Sequence, residues 1–350
     1  MPAVKGDVDL VRSELAAGVD PNQPDQSGGL PLFAAAGNGH EEVARLLLAA
    51  GAEVDGLSAC WETVDRTNYD VQRTALVEAA LRKHEEVALL LIEHGADVNA
   101  TDGFSGTTAL VEAARAGFEK LVTALLARGA RVDARNGYEN LGVLTAAARS
   151  GNTQVVQTLL AHAAPAEPAA LKEACRRGHV GIVEVLLECG LDPHQAEAAA
   201  AAAGGGHVFL LNRLLDGDTY SESELADALV CSTGATETLR MLLDRDTHPA
   251  SALGRALGVA SNNGRLEAAR LLLSHGAPID WRDKYGWTAL MCAAHYGHLE
   301  TVRLLIDQGA DAEIREKEGK RAADWALREG RRDVVALLEE QASRKGRAST

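Results

Sequence analysis

A chain of 350 residues with a formal charge of −15 and only 4% aromatic residues lacks an excess of Lys and Arg, and it lacks the bulky side chains of one large core. Counterion release from nucleic acid and attraction to an anionic membrane both need that excess, so neither is expected as a partner. The five cysteines (Cys60, Cys175, Cys189, Cys231 and Cys292) form an odd set without CxxC or CxxH spacing, so no disulfide framework, metal site or cofactor is indicated. No cationic start precedes an apolar stretch and no run approaches eighteen apolar residues, which reads as a soluble, cytoplasmic chain.

Taken in chain order, residues 1–24 read as a capping half-repeat, because "GDVDLVRSELAAGVD" from Gly6 leaves too little chain before it for a full first helix. From 25 to 314 one pattern recurs. It is complete in "DKYGWTALMCAAHYGHLETVRLLIDQGADAEI", residues 283–314. There the Thr288 hydroxyl caps a short helix, Gly297 ends it in a left-handed conformation, and a second helix over 299–307 stops at Gly309. With Gly297 as register mark, the equivalents are Gly6, Gly39, Lys83, Gly117, Gly151, Gly178, Gly206, Gly234, Gly264 and Gly330. Successive marks lie 33, 44, 34, 34, 27, 28, 28, 30, 33 and 33 residues apart.

A period of 33 built from two antiparallel helices, with "TALMCAAHYGH" standing where the family has T-P-L-H-x-A-A-x-x-G-H, resembles the ankyrin repeat. The resemblance covers nearly the whole chain, strongest over 25–55, 74–99, 108–133 and 283–314 and weakest over 165–246. Most T-P-L sites read TAL, at Thr74, Thr108 and Thr288, which removes some turn rigidity. The resemblance implies an all-α solenoid of about ten helix pairs, whose first helices and projecting β-hairpin fingers line a concave face that binds another protein. It carries over no catalytic residue.

Helix pairs keep near-constant length, so the spacing changes fall in the connections. The interval of 44 places a long inserted finger at 56–73, "GLSACWETVDRTNYDVQR", and the short intervals remove fingers near Pro165, Pro193 and Asp218. The expected result is an open notch in the middle, floored by the alanine and glycine run at 198–206. Residues 315–341 keep the register with polar residues on the outer side, as a C-terminal capping repeat needs. Residues 342–350 are basic and aperiodic and read as a disordered tail.

Helical geometry at 100° per residue turns Cys292, His295 and Tyr296 away from the core. The same offsets give Glu78 and Arg82, Glu112 and Arg115, Arg149, then Glu173, Arg176 and Arg177 as the exposed face of the first helices. On an acidic chain the central strip of Arg115, Arg149, Arg176 and Arg177 reverses the sign, and stacking of helices about 8–10 Å apart lets these groups converge on an anionic or small-molecule ligand. The plainer reading is that Glu112 with Arg115 and Glu173 with Arg176 are solvated i,i+3 pairs. On that face Arg115, Arg149 and Arg176 contribute under about 0.5 kcal/mol to stability, and Arg245 in an outer connection serves as their control. Trp61, Tyr69, Trp281, Tyr285 and Trp287 on fingers and inserts supply the aromatic anchors typical of interfaces.

The leading function is a non-catalytic scaffold that recognises a protein in its groove and sequesters, inhibits or presents it. One alternative is an enzyme with Glu78 and Glu112 as paired carboxylates under a lid carrying Asp65 or Asp70, or with Cys292 and His295 as nucleophile and base. The other is an immunity or resistance factor that captures a toxin or small molecule.

Overall fold

The computed structural model describes residues 2–348 apart from 27, 65, 66, 104, 138, 196, 218, 246 and 247, and gives the backbone alone for 59–64, 67–71 and 343–348. Asp65, Asp218 and the side chains of Trp61, Tyr69 and Asp70 therefore lie outside the described residues. The chain divides into two compact units, 1–174 with 179–191, and 175–178 with 192–350.

The first unit opens with the one-turn α1 (Pro2–Lys5) and α2 (Val8–Ala16), followed by α3 (Pro31–Gly37) and α4 (Glu41–Ala49). The hairpin β1 (Ser58–Val64) and β2 (Thr67–Arg73) leads into α5 (Ala75–Leu81) and α6 (Glu85–Glu93), then α7 (Ala109–Ala116) and α8 (Glu119–Ala127). A short hairpin, β3 (Arg135–Asn136) and β4 (Leu141–Gly142), precedes α9 (Val143–Ser150) and α10 (Thr153–Ala161). Next come α11 (Pro168–Arg177), which belongs to this unit up to Ala174, and α12 (Val180–Glu188). The second unit holds α13 (Ala198–Gly205), α14 (Val208–Gly217), α15 (Glu222–Cys231), a 3-10 turn (Ser232–Gly234), α16 (Thr236–Arg245) and α17 (Ala250–Asn262). It continues with α18 (Leu266–Ser274), α19 (Ala289–Tyr296), α20 (Leu299–Asp307), α21 (Ala322–Arg328) and α22 (Arg332–Ala348).

Within each unit the odd-numbered helices pack in one row and the even-numbered in another, burying alanine and leucine between them. Small residues such as Ala79, Ala80, Ala113 and Ala114, fully buried on the first helices, allow that close approach. The helices start where threonine accepts the third following backbone N–H, at Thr74, Thr108 and Thr288. They stop at the register positions, ten of which have positive φ, including the one non-glycine, Lys83 at 67°. Gly234 is the exception. There α15 runs into the 3-10 turn Ser232–Gly234, so the mark no longer ends a left-handed cap.

The register histidines join one repeat to the one before it. Nε2 of His40, His84, His207 and His298 meets the carbonyls of Val4, Gly37, Arg176 and Asn262 at 3.0–3.2 Å. A Cβ at Gly264 would stand 2.6 Å from the His298 ring, so that glycine is required by the neighbouring repeat as well as by its own φ of 65°.

Two of the fingers fold round an acid. Asp102 Oδ1 accepts from Ser105 and Thr107 N–H, and Asp283 Oδ1 from Tyr285 and Trp287 N–H, at 2.8–3.1 Å. The links 162–167, 218–221 and 246–249 are too short for such a finger, against 128–142 or 275–288 elsewhere. The inserted finger is an antiparallel hairpin in register from Ser58↔Arg73 to Val64↔Thr67. Its root is fixed by Leu30 N–H donating to Ser58 Oγ and by Gly103 N–H donating to the Gln72 carbonyl.

At the C-terminus the backbone of 342–348 continues α22, passing through Gly346, with no proline to interrupt it. Among the described residues no helix is long and apolar enough to cross a membrane.

Candidate functional site

The face of the first helices turned away from the second helices carries the charged and aromatic residues picked out above. In the first unit that face is occupied by the chain's own ion pairs. Glu78 is 4% exposed, and both of its oxygens are taken: Arg73 Nη1 donates to Oε2 and Arg82 Nε to Oε1, each at 2.8 Å. Arg73, from the hairpin root and 1% exposed, also lies 3.7 Å from Asp102, so three buried charges lock hairpin, helix and next finger together. One repeat on, the buried Glu112 accepts from Thr107 Oγ1 at 2.9 Å and Arg115 Nη2 at 3.0 Å. Arg149 sits on Glu139 and, through Nε at 3.0 Å, on the buried Glu173. Arg176 and Arg177 are exposed at the end of α11.

These contacts change two expectations. Glu78 and Glu112 are not a free carboxylate pair, since guanidinium and hydroxyl donors of the chain already engage them. Nor is Arg149 a solvated side chain: it is 27% exposed and bridges two carboxylates, one of them in the following repeat. Arg245 is no neutral control either, because it pairs with Asp216 at 2.7 Å and donates to the Leu215 carbonyl.

In the second unit the same face is aromatic. The Trp287 and Trp325 rings lie 4.7 Å apart, and His295 meets both edge-on at 5.6 Å and Tyr296 at 4.7 Å. Lys320 Nζ stands 4.4 Å and the Arg328 guanidinium 5.2 Å from the Trp325 ring, and Lys284 lies over the exposed Tyr285 at 4.9 Å. Trp281 has a packing role, its side chain lying directly against Gly254 of α17. Burial pushes the Cys292 thiol up to about 12, with Asp283 adding to the shift, so Cys292 is no nucleophile for His295.

Trp325 escapes a helical-wheel search because it stands in the capping repeat. Its signal is its register: it lies five residues before Gly330, as Glu78 lies before Lys83, Glu112 before Gly117 and Cys292 before Gly297. Lys320 likewise occupies the place of Arg73, Thr107 and Trp287 at the finger root.

A model described as ankyrin repeats matches residues 1–102, 64–136, 110–197 and 257–347. The chain belongs to the ankyrin repeat family. No curated protein matches it. The matched segments leave 198–256 uncovered, a stretch that holds the short links 218–221 and 246–249 and the register glycine at 234 that gives way to a 3-10 turn.

In that stretch a cavity of about 210 Å³ opens over Ala199, Ala200 and Val230, walled by Tyr220, Glu224 and Cys231. His194 bonds Glu224 at 2.7 Å and packs on the Tyr220 ring at 4.7 Å. Ser221 and Glu224 form a reciprocal capping box at the start of α15, and the Ser221 hydrogen bonds, with a smaller contribution from His194, lower the Glu224 pKa.

Proposed function

We propose that the chain is a non-catalytic interaction scaffold that holds a protein partner along the groove face of its first helices, with the last two repeats as the anchor. Ankyrin repeat proteins bind other proteins, and the mechanism this reading implies is steric: the partner is sequestered, inhibited or presented to a third component. The observation that carries it is the cluster of Trp287, His295, Tyr296 and Trp325 on that face. Aromatic residues ringed by cations are the composition of interface hot spots. An active site under the 56–73 insert loses its support once the nearby carboxylates are ion-paired. Capture of a small molecule is less favoured: the cavity over Ala199 holds about 210 Å³ and one beside α2 about 240 Å³, both below the roughly 300–1,000 Å³ of pockets that enclose drug-sized ligands.

A photo-crosslinking residue placed at Tyr296, 47% exposed on this face, is compared with one at Arg303, exposed on α20. In extract of the native host, position 296 is expected to yield a discrete protein adduct and position 303 none. The same adduct from both, or from 303 alone, would move the binding surface elsewhere.

A further inference from the structure

The partner's chemistry is written in which cations have no counter-ion. In the first unit Arg82, Arg115 and Arg149 each rest on a carboxylate. Around the aromatic cluster the balance differs. Among the described residues Arg328 contacts the Trp325 ring and forms no ion pair, although its charge helps to lower the Glu318 pKa, Arg331 donates to the His295 carbonyl at 3.3 Å, and Lys284 lies over the Tyr285 ring. Lys320 is held by Glu318 at 2.7 Å, and Glu329 lies 3.9 Å from His295 Nδ1, beyond hydrogen-bond reach. Residues 281–342 hold 10 Lys and Arg against 12 Asp and Glu, a net charge of −2, whereas residues 1–280 carry −16.

Two polar atoms inside the cluster also lack partners. Trp325 is 8% exposed, yet its Nε1–H has no hydrogen bond, and neither has the buried Nδ1 of His295. A buried donor left unsatisfied is costly, which marks this cluster as one the fold alone does not account for. The occupant is not a partner's quaternary ammonium. That ligand needs open ring faces, whereas Trp325 already carries two cations of the chain and stacks with Trp287.

Building on the groove reading, we propose that the cluster of Trp287, His295 and Trp325, rimmed by Lys284, Arg328 and Arg331, binds an acidic segment of the partner. A carboxylate of the segment faces the Arg328 and Arg331 guanidinium groups, while an apolar neighbour in the segment covers Trp287 and Tyr296. The arrangement selects against acidic sequences elsewhere on the molecule, where net charge repels them, and guides them to this end.

The test pans the full chain against a displayed library of random dodecapeptides, then titrates the best synthetic peptide into protein with 15N-labelled tryptophan. The indole N–H resonances are assigned with Trp→Phe variants. Enriched peptides are expected to be net acidic, to shift the Trp325 resonance, to bind about fivefold more weakly to Arg328→Gln and tenfold more weakly to Trp325→Phe, and to be unaffected within twofold by Arg149→Gln. Peptides that are basic or neutral, or acidic peptides that leave the Trp325 resonance in place and respond to Arg149→Gln, overturn this assignment while keeping the groove as the binding face. Peptides insensitive to every variant on the face overturn both readings. Since Trp325→Phe removes a buried group, the exposed Arg328→Gln variant decides between these outcomes if the former fails to fold.

Discussion

Five residues before the register mark, two neighbouring repeats of the first unit place Glu78 and Glu112, and the last two of the second place Cys292 and Trp325. Five residues earlier still, at the finger root, stand Arg73 and Thr107 in one unit and Trp287 and Lys320 in the other. The geometry is shared, the chemistry is not. Arg73 to Glu78 and Thr107 to Glu112 are hydrogen bonds at 2.8 and 2.9 Å between buried groups, whereas Lys320 to Trp325 is a cation over a ring. In the first unit the carboxylate of each pair is engaged by donors of the chain itself, so the face serves the fold. In the second unit Lys320 is held by Glu318 as well as by the ring, whereas Arg328 on the same ring forms no ion pair among the described residues.

The sharpest contrast at this one position is reactivity. With its thiol pushed up to about 12, Cys292 holds roughly a thousandfold less thiolate than a thiol of ordinary pKa. Alkylation of the native protein at pH 8 is expected to label the exposed Cys189 and Cys231 first and to leave Cys292 and Cys175, likewise about 12, to react only on unfolding. Labelling of Cys292 at the rate of Cys189, read by peptide mass, would mean that its partial burial does not raise the thiol pKa to about 12.

Removing the ionic device should cost most in stability. Arg73→Ala strands Glu78 and Asp102 in a buried site, and breaking a buried pair from one side costs about 3–5 kcal/mol; Arg82, still on Glu78, brings this toward about 3. Because repeat arrays unravel in parts, the measurement is hydrogen exchange of the α5 and α7 amides, not one melting temperature. A loss below about 1 kcal/mol would show that the hairpin root is held by its backbone contacts alone.

How much of this was legible beforehand follows from the same positions. Glycine spacing and threonine caps reveal helix pairs because both are local backbone requirements, and the 100° offset correctly turned Arg82, His295 and Tyr296 outward. It also turned Glu78, Glu112 and Glu173 outward, yet all three are buried. A helical wheel sees one helix, whereas burial there comes from the finger root and the next repeat, through Arg73, Thr107 and Arg149. Trp325 was missed for a related reason: a capping repeat is expected to be polar outside, and that expectation says nothing of the face it shares with its neighbours.

A smaller effect separates the two ends again. Arg149→Ala removes a part-buried bridge between Glu139 and Glu173 and is expected to lower stability by about 1 kcal/mol. Arg328→Gln, which breaks no ion pair among the described residues, should stay within about 0.5 kcal/mol. Local exchange free energies in α9 and α21 provide the comparison. Equal losses would erase the distinction between a face that holds the fold and a face kept for a ligand.

The smallest effect tests the register itself, within the first unit. Lys83 adopts φ 67°, a left-handed conformation that nine of the other ten register positions reach with glycine. A side chain there costs about 1 kcal/mol from the crowding of Cβ against the carbonyl, while glycine gives back part of that through the greater freedom of its unfolded chain. At Gly264 the neighbouring histidine forbids a side chain. At the equivalent place beside Lys83 the following repeat has Phe118, so no register imidazole leans on it. Lys83→Gly is therefore expected to raise stability by about 0.5 kcal/mol, seen as slower exchange in α5 and α6. Exchange that quickens instead would show that the lysine side chain makes a contact worth more than the strain of its backbone, and that the ionic character of this unit extends to its register marks.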